Sequence, residues 1–134
     1  MFLKASVVHM STLALLIAAM VTLNSCSSPN TTSVSSESVR IVACPTSTVT
    51  SVTMSNFLFQ PNSVSIAVND IVTWINDDTT AHTVTSGTQV APDGKFNSGN
   101  LAPNSIVCMQ FMSSGLYQYF CNIHPSMTGT VAVQ

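Results

Sequence analysis

Charged side chains are scarce in this sequence. Three Lys or Arg and five Asp or Glu occur among 134 residues, so charged residues make up 6% of the chain and the net charge is −2. A disordered chain shows the opposite balance, whereas 46% of this chain is apolar. Three isolated cations make no basic patch, so nucleic-acid binding is not expected. A docking partner should instead meet a neutral or apolar surface, with weak charge steering.

Helical periodicity and internal repeats are also missing, and the length suits one domain. Apolar residues recur with period two in 63–68 and 106–111, and turn signals follow one another at short spacing, for example at 92–94. This pattern predicts an all-β protein: a Greek-key β-sandwich or barrel of about seven or eight strands. Trp74 lies in an apolar strand and is expected to anchor the core.

The N-terminal segment lacks an apolar run long enough for a membrane span, because polar residues interrupt the stretch 5–23. One cation at Lys4 precedes that stretch, and Leu23-Asn24-Ser25-Cys26 follows it. This ending resembles a bacterial lipobox. We therefore predict a signal peptide at 1–25, cleavage before Cys26 and lipidation of Cys26. An ordinary cleaved signal or an uncleaved anchor are the alternatives, and all three place the domain outside the cytoplasm.

A polar tether follows the predicted cleavage site. Eight of the twelve residues 27–38 are Ser or Thr, and such a stretch cannot bury apolar area. We assign 26–47 to a tether with an N-terminal extension and 48–134 to the functional domain. The lipid would then hold the domain at a membrane surface.

The segment 117–127 carries the chemistry. Cys121, His124 and Met127 stand three residues apart on a predicted loop between two strands. A thiolate, an imidazole and a thioether are soft ligands that suit copper in both oxidation states, and a blue-copper site combines two His, one Cys and a distant Met. The loop therefore offers three of the four ligands of such a site.

His82 is the candidate for the missing ligand, because it and His124 are the two histidines that remain after the predicted cleavage. It follows a turn and is expected to begin a strand. Each residue also has a simpler interpretation: His82 as a surface histidine, Cys121 as an inert buried thiol or disulfide partner, and Met127 as core packing. Two histidines are too few for a multicopper oxidase, and the loop lacks the second cysteine of a binuclear copper centre.

The stretch from Asn56 to Gln134 resembles the plastocyanin, amicyanin and pseudoazurin branch of the cupredoxins. The resemblance is carried by four segments, 72–78, 81–86, 93–99 and 115–131. The Cys-x-x-His-Pro-x-Met spacing is typical of the short amicyanin loop. The tether and Cys44 lie outside the resemblance.

The resemblance implies one copper ion, cycling between Cu(I) and Cu(II), with His82, Cys121 and His124 as equatorial ligands and Met127 as the axial ligand. It also implies that the ring edge of His124 reaches the surface within an apolar patch and passes the electron. The backbone N–H groups of Thr83 and Asn122 are candidate neighbours of the thiolate sulfur.

These features predict an exported electron carrier that docks protein redox partners, rather than an enzyme with a small-molecule substrate. A periplasmic copper chaperone or copper buffer is the first alternative, although a thiolate ligand argues against rapid copper transfer. A metal-free β-sandwich used for adhesion or structure is the second alternative.

Two further cysteines, Cys44 and Cys108, remain in an oxidising compartment, where a disulfide between them is one interpretation and two independent thiols are the other. Cys108 alternates with Val107 and Met109, so it should face away from the core. An additional N-terminal strand at 39–43 would then be within its reach.

Overall fold

The computed structural model describes residues 37–47 and 49–134, which form an all-β fold. The predicted signal peptide, its cleavage site and the lipidation of Cys26 lie outside the described residues. The described part contains no helix long and apolar enough to cross a membrane. Its strands are β1 (Val39–Val42), β2 (Thr50–Ser55), β3 (Leu58–Gln60), β4 (Ser63–Ile66), β5 (Ile71–Asn76), β6 (Thr85–Thr88), β7 (Ala91–Asn97), β8 (Ile106–Phe111), β9 (Gly115–Phe120) and β10 (Thr128–Val133).

The strands form two five-stranded sheets. Sheet A has the order β1-β8-β5-β2-β3 and sheet B the order β4-β10-β9-β6-β7. Neighbouring strands are antiparallel except for the parallel pairs β2–β5 and β4–β10. The chain crosses repeatedly between the sheets, as in a Greek-key sandwich, and the predicted all-β fold is confirmed.

Period-two alternation decides which side chains enter the core. In β8 the side chains of Val107, Met109 and Phe111 are buried, as the sequence pattern predicts. Trp74 of β5 is completely buried, with its ring centroid 5.4 Å from that of Tyr119 and 6.3 Å from that of Phe111. Trp74 is therefore the predicted core anchor, and it packs against aromatic rings from both sheets.

The N-terminal extension adds a strand to sheet A. β1 pairs antiparallel with β8, and the register brings Val42 opposite Cys108. A disulfide joins Cys44, just after β1, to Cys108, with the two Cα atoms 5.2 Å apart. Cys108 faces outward yet is completely buried, because Cys44 and the adjacent Thr73 hydroxyl, 3.2 Å from its sulfur, cover it. The disulfide therefore holds the end of the extension against the sandwich.

Three local expectations differ from the structure. Ten strands are present in the described residues rather than seven or eight, partly because β1 and the three-residue β3 add to the count. Residues 92–94 lie within β7 instead of forming a turn. This is possible because β7 is an edge strand, where Pro92 does not break a ladder and Gly94 adopts a positive φ. His82 does not begin a strand; it forms an isolated bridge with Leu101 before β6 starts.

Candidate metal centre

A short loop between β9 and β10 carries Cys121, His124 and Met127. Two backbone hydrogen bonds close it: the Cys121 N–H donates to the Met127 carbonyl at 3.0 Å, and the Met127 N–H donates to the His124 carbonyl at 2.9 Å. Cys121 and Met127 are buried, whereas His124 is partly exposed. The three-residue spacing thus folds into a compact turn at one end of the sandwich.

His82 reaches the same end from the segment after β5. Reciprocal backbone hydrogen bonds of 3.1 and 2.8 Å tie it to Leu101. The completely buried Asn76 organises this segment, because its side-chain amide donates to the carbonyls of Thr80 and Leu101. Asn76 lies in the segment 72–78 that carries the family resemblance, but the sequence alone predicted no hydrogen bonds for its side chain.

Three potential ligand atoms converge at this end. The Nδ1 atoms of His82 and His124 are 3.1 Å apart, and each lies 3.8 Å from the Cys121 sulfur. Of the three residues, His82 and Cys121 are fully buried. A soft sulfur donor beside two imidazole nitrogens fits copper better than a hard cation such as magnesium or calcium. The donor set therefore fits a copper ion.

Thr83 organises the surroundings of the sulfur. Its backbone N–H donates to the Cys121 sulfur at 3.3 Å. The Asn122 N–H does not point to the sulfur: it donates to the Thr83 hydroxyl oxygen at 2.7 Å. The same hydroxyl lies 3.1 Å from that of Thr85. Thr83 therefore ties the ligand loop to the His82 segment through both its backbone and its side chain.

Asp78 orients the His82 ring. Its carboxylate lies 2.8 Å from Nε2 of His82, so the ring proton belongs on Nε2 and the lone pair of Nδ1 faces the sulfur. The carboxylate also accepts the backbone N–H groups of Asn56 and Phe57 at 2.7 and 3.0 Å. Desolvation alone would raise the pKa of Asp78, but these N–H groups and His82 hold it below its ordinary value. This role could not be predicted from the sequence, because the pattern of residues 77–82 does not show which side chain reaches the His82 ring.

Phe57 packs over the histidine pair. Its ring centroid lies 5.7 Å from that of His82 and 4.9 Å from that of His124, in edge-on contacts at 83° and 85°. About half of the Phe57 side chain, 49%, remains exposed. The ring thus separates part of the histidine pair from solvent.

The family follows from a comparison that spans most of the chain: the model of the cupredoxin-like domain matches residues 13–133. The chain belongs to the cupredoxin-like family. The resemblance noted in the ligand segments is thereby confirmed.

Individual relatives agree with this assignment. The cupredoxin is 33% identical over 86 residues to a plastocyanin of Scenedesmus fuscus, a match covering 58% of this chain and 87% of that protein. It is 28% identical over 71 residues to an amicyanin of Paracoccus versutus, covering 53% of this chain and 54% of the amicyanin. The chain therefore spans about half the length of that relative.

A solved amicyanin structure shares the fold. The reduced Cu(I) form of an amicyanin mutant superposes with a TM-score of 0.65 at 22% identity, covering 72% of this chain and 99% of the amicyanin. Family membership and the converging group of His82, Cys121 and His124 together give this cupredoxin a site for one copper ion.

Proposed function

We propose that this cupredoxin carries single electrons between protein redox partners, and that His82, Cys121 and His124 would hold the copper ion with Met127 as a fourth, weaker ligand. The observation that carries the proposal is the convergence of the Cys121 sulfur and both Nδ1 atoms at one buried end of the sandwich. When bound there, copper supplies a one-electron Cu(I)/Cu(II) couple.

The surroundings of these residues favour electron transfer over catalysis. The ligand loop is closed by backbone hydrogen bonds, and Thr83 joins it to the His82 segment. Ligands held in this way change position little between two oxidation states, which is the condition for rapid transfer of one electron. His82 and Cys121 are fully buried, so a substrate has no direct access to them. We therefore assign no enzymatic reaction to the site.

His124 is the proposed exit for the electron. It is the partly exposed member of the histidine pair, and it lies between Ile123, which is 43% exposed, and Pro125. With so few charges in the chain, apolar contact is expected to dominate docking at this surface. The proposed partners are an electron donor protein and an electron acceptor protein, not nucleic acid or a small molecule.

We further propose that the protein is exported and held at a membrane by a lipid on Cys26. The assigned ranges are 1–25 for the signal peptide, 26–47 for the tether and extension, and 48–134 for the copper domain. The disulfide between Cys44 and Cys108 supports export, because disulfides persist in oxidising compartments such as the periplasm or the outer face of a cell envelope.

Voltammetry of the copper-loaded protein tests the electron-carrier function. We expect a reversible one-electron wave and fast reduction by a donor of suitable potential, with copper retained through repeated cycles. Metal analysis after cycling serves as the control. Loss of copper on reduction, together with rapid transfer to a copper-accepting peptide, would contradict the carrier function and favour a chaperone or buffer.

A further inference from the structure

The turn between β2 and β3 has an unusual backbone. Ser55 pairs with Leu58, so Asn56 and Phe57 form a two-residue hairpin loop. Both residues have positive φ, 53° and 59°. Such loops strongly prefer glycine at the second position, and a bulky side chain there is an outlier. The turn therefore holds a phenylalanine where backbone geometry favours glycine.

Core burial does not explain this phenylalanine. Phe57 is 49% exposed, whereas its neighbour in the hairpin, Phe59, is 3% exposed and belongs to the core. The buried part of the Phe57 ring faces His82 and His124. Backbone strain that core packing does not offset is a reason to look for a functional role.

Asp78 fixes the position of the turn relative to the histidines. One carboxylate oxygen accepts the Asn56 N–H, and the other accepts both the Phe57 N–H and Nε2 of His82. A single side chain thus joins the strained turn to the ring that Phe57 covers. These three hydrogen bonds therefore oppose a displacement of the turn relative to His82.

We propose that Phe57 is a positioning residue of the copper site, which shields the histidine pair from water and restrains the His124 ring. The inference rests on the proposed copper function and adds a residue outside the ligand set. With one thiolate and neutral imidazoles as ligands, the site would have a net charge of +1 with Cu(II) and no net charge with Cu(I). A drier surrounding therefore favours the reduced state, so the shield raises the midpoint potential and slows copper release.

Replacing Phe57 by glycine separates this role from a structural one. In Phe57→Gly the backbone of the turn is relaxed, so the copper-free variant should be at least as resistant to denaturant as the parent protein. Copper release to a chelator should nevertheless become about tenfold faster. The midpoint potential should also fall. Phe57→Tyr keeps an aromatic ring and should therefore keep the copper release rate and the midpoint potential of the parent protein.

Phe57→Gly combines two changes: it relaxes a positive φ and it removes an exposed apolar side chain. One control variant matches each change. Asn69→Gly relaxes another positive φ, 75°, in the turn between β4 and β5. Leu58→Ser removes an exposed apolar side chain beside Phe57. Both controls should keep the release rate and potential of the parent protein.

The outcomes separate the two proposals. A parent protein that loads copper, with Phe57→Gly indistinguishable from both controls in release rate and potential, overturns the shielding role alone. A large loss of stability in copper-free Phe57→Gly also overturns it, because Phe57 is then structural. A parent protein that shows no thiolate-bound copper overturns the copper function and the shield with it.

Discussion

Two completely buried cysteines of this cupredoxin have different chemistry. Cys108 faces outward from sheet A and is bonded to Cys44, whereas the Cys121 thiol is free and faces two histidine nitrogens. Burial alone therefore does not determine what a thiol does. The deciding feature is the set of groups that the fold brings to each sulfur.

The register of the strands creates this difference. Cys108 alternates with the core residues Val107 and Met109, so its side chain lies on the outer face of sheet A, where it meets Cys44 just after the added strand β1. Cys121 directly follows the last residue of β9, where the sheet gives way to the ligand loop. One cysteine thus stabilises the sandwich, and the other is available to a metal.

The largest expected effect on stability comes from removing the disulfide between Cys44 and Cys108. The disulfide closes a loop with a sequence separation of 64. A disulfide that closes a loop of this size stabilises the folded protein by about 4 kcal/mol. The double variant Cys44→Ala/Cys108→Ala should lose stability of that order in denaturant titrations. Its copper spectrum should stay unchanged, because no ligand is touched. A shifted or lost copper band would show that the two sulfur sites are coupled.

A smaller effect tests whether the interior beside Cys121 is dry. Tyr119 lies in β9, and its buried hydroxyl makes no hydrogen bond of good geometry among the described protein atoms, although the equally unpaired indole N–H of Trp74 is close enough to lower its pKa slightly. Burial raises the pKa of Tyr119 to about 12 from 10.0. The unfolded chain releases the Tyr119 proton near pH 10, whereas the folded protein holds it until about pH 12. The free energy of unfolding is therefore unaffected below pH 10 and falls by about 3 kcal/mol in total as the pH rises towards 12.

The variant Tyr119→Phe checks this contribution. It should be as stable as the parent protein at pH 7 and should lack that part of the alkaline loss. Tyr117→Phe is the matched control, because the Tyr117 hydroxyl donates to the Ser113 carbonyl at 2.9 Å and its removal should cost about 1 kcal/mol at pH 7. Equal losses in the two variants at pH 7 would argue against a dry, unpaired Tyr119 hydroxyl.

A third variant tests whether the groups around the Cys121 sulfur influence its copper site. Thr83→Val removes the acceptor of the Asn122 N–H but keeps the backbone N–H that points at the sulfur. We expect a loss of about 1–2 kcal/mol and a shifted copper band, both measured beside Thr83→Ser, which retains the hydroxyl. An unchanged Thr83→Val spectrum would limit the role of the side chain to stability.

The sequence could bring Cys121, His124 and Met127 into one predicted loop because they stand three residues apart in it, and the structure groups Cys121 and His124 with His82. His82 could be predicted because few histidines were available. Asp78 and Phe57 could not, since their contacts with the histidines arise from the way two separate turns meet. The turn predicted at residues 92–94 was wrong, because these residues lie in an edge strand and an edge strand tolerates proline and glycine. The disulfide remained one of two interpretations, because strand pairing decides whether Cys44 reaches Cys108.

The most direct test of the central claim is a Cu(II) titration followed by visible absorption, with Cys121→Ser and the double variant Cys44→Ala/Cys108→Ala beside the parent protein. The account predicts an intense thiolate-to-copper band that saturates at one equivalent. The band should persist without the disulfide and disappear in Cys121→Ser. A pale complex in the parent protein, or an intense band that survives in Cys121→Ser, would contradict a copper site built on Cys121.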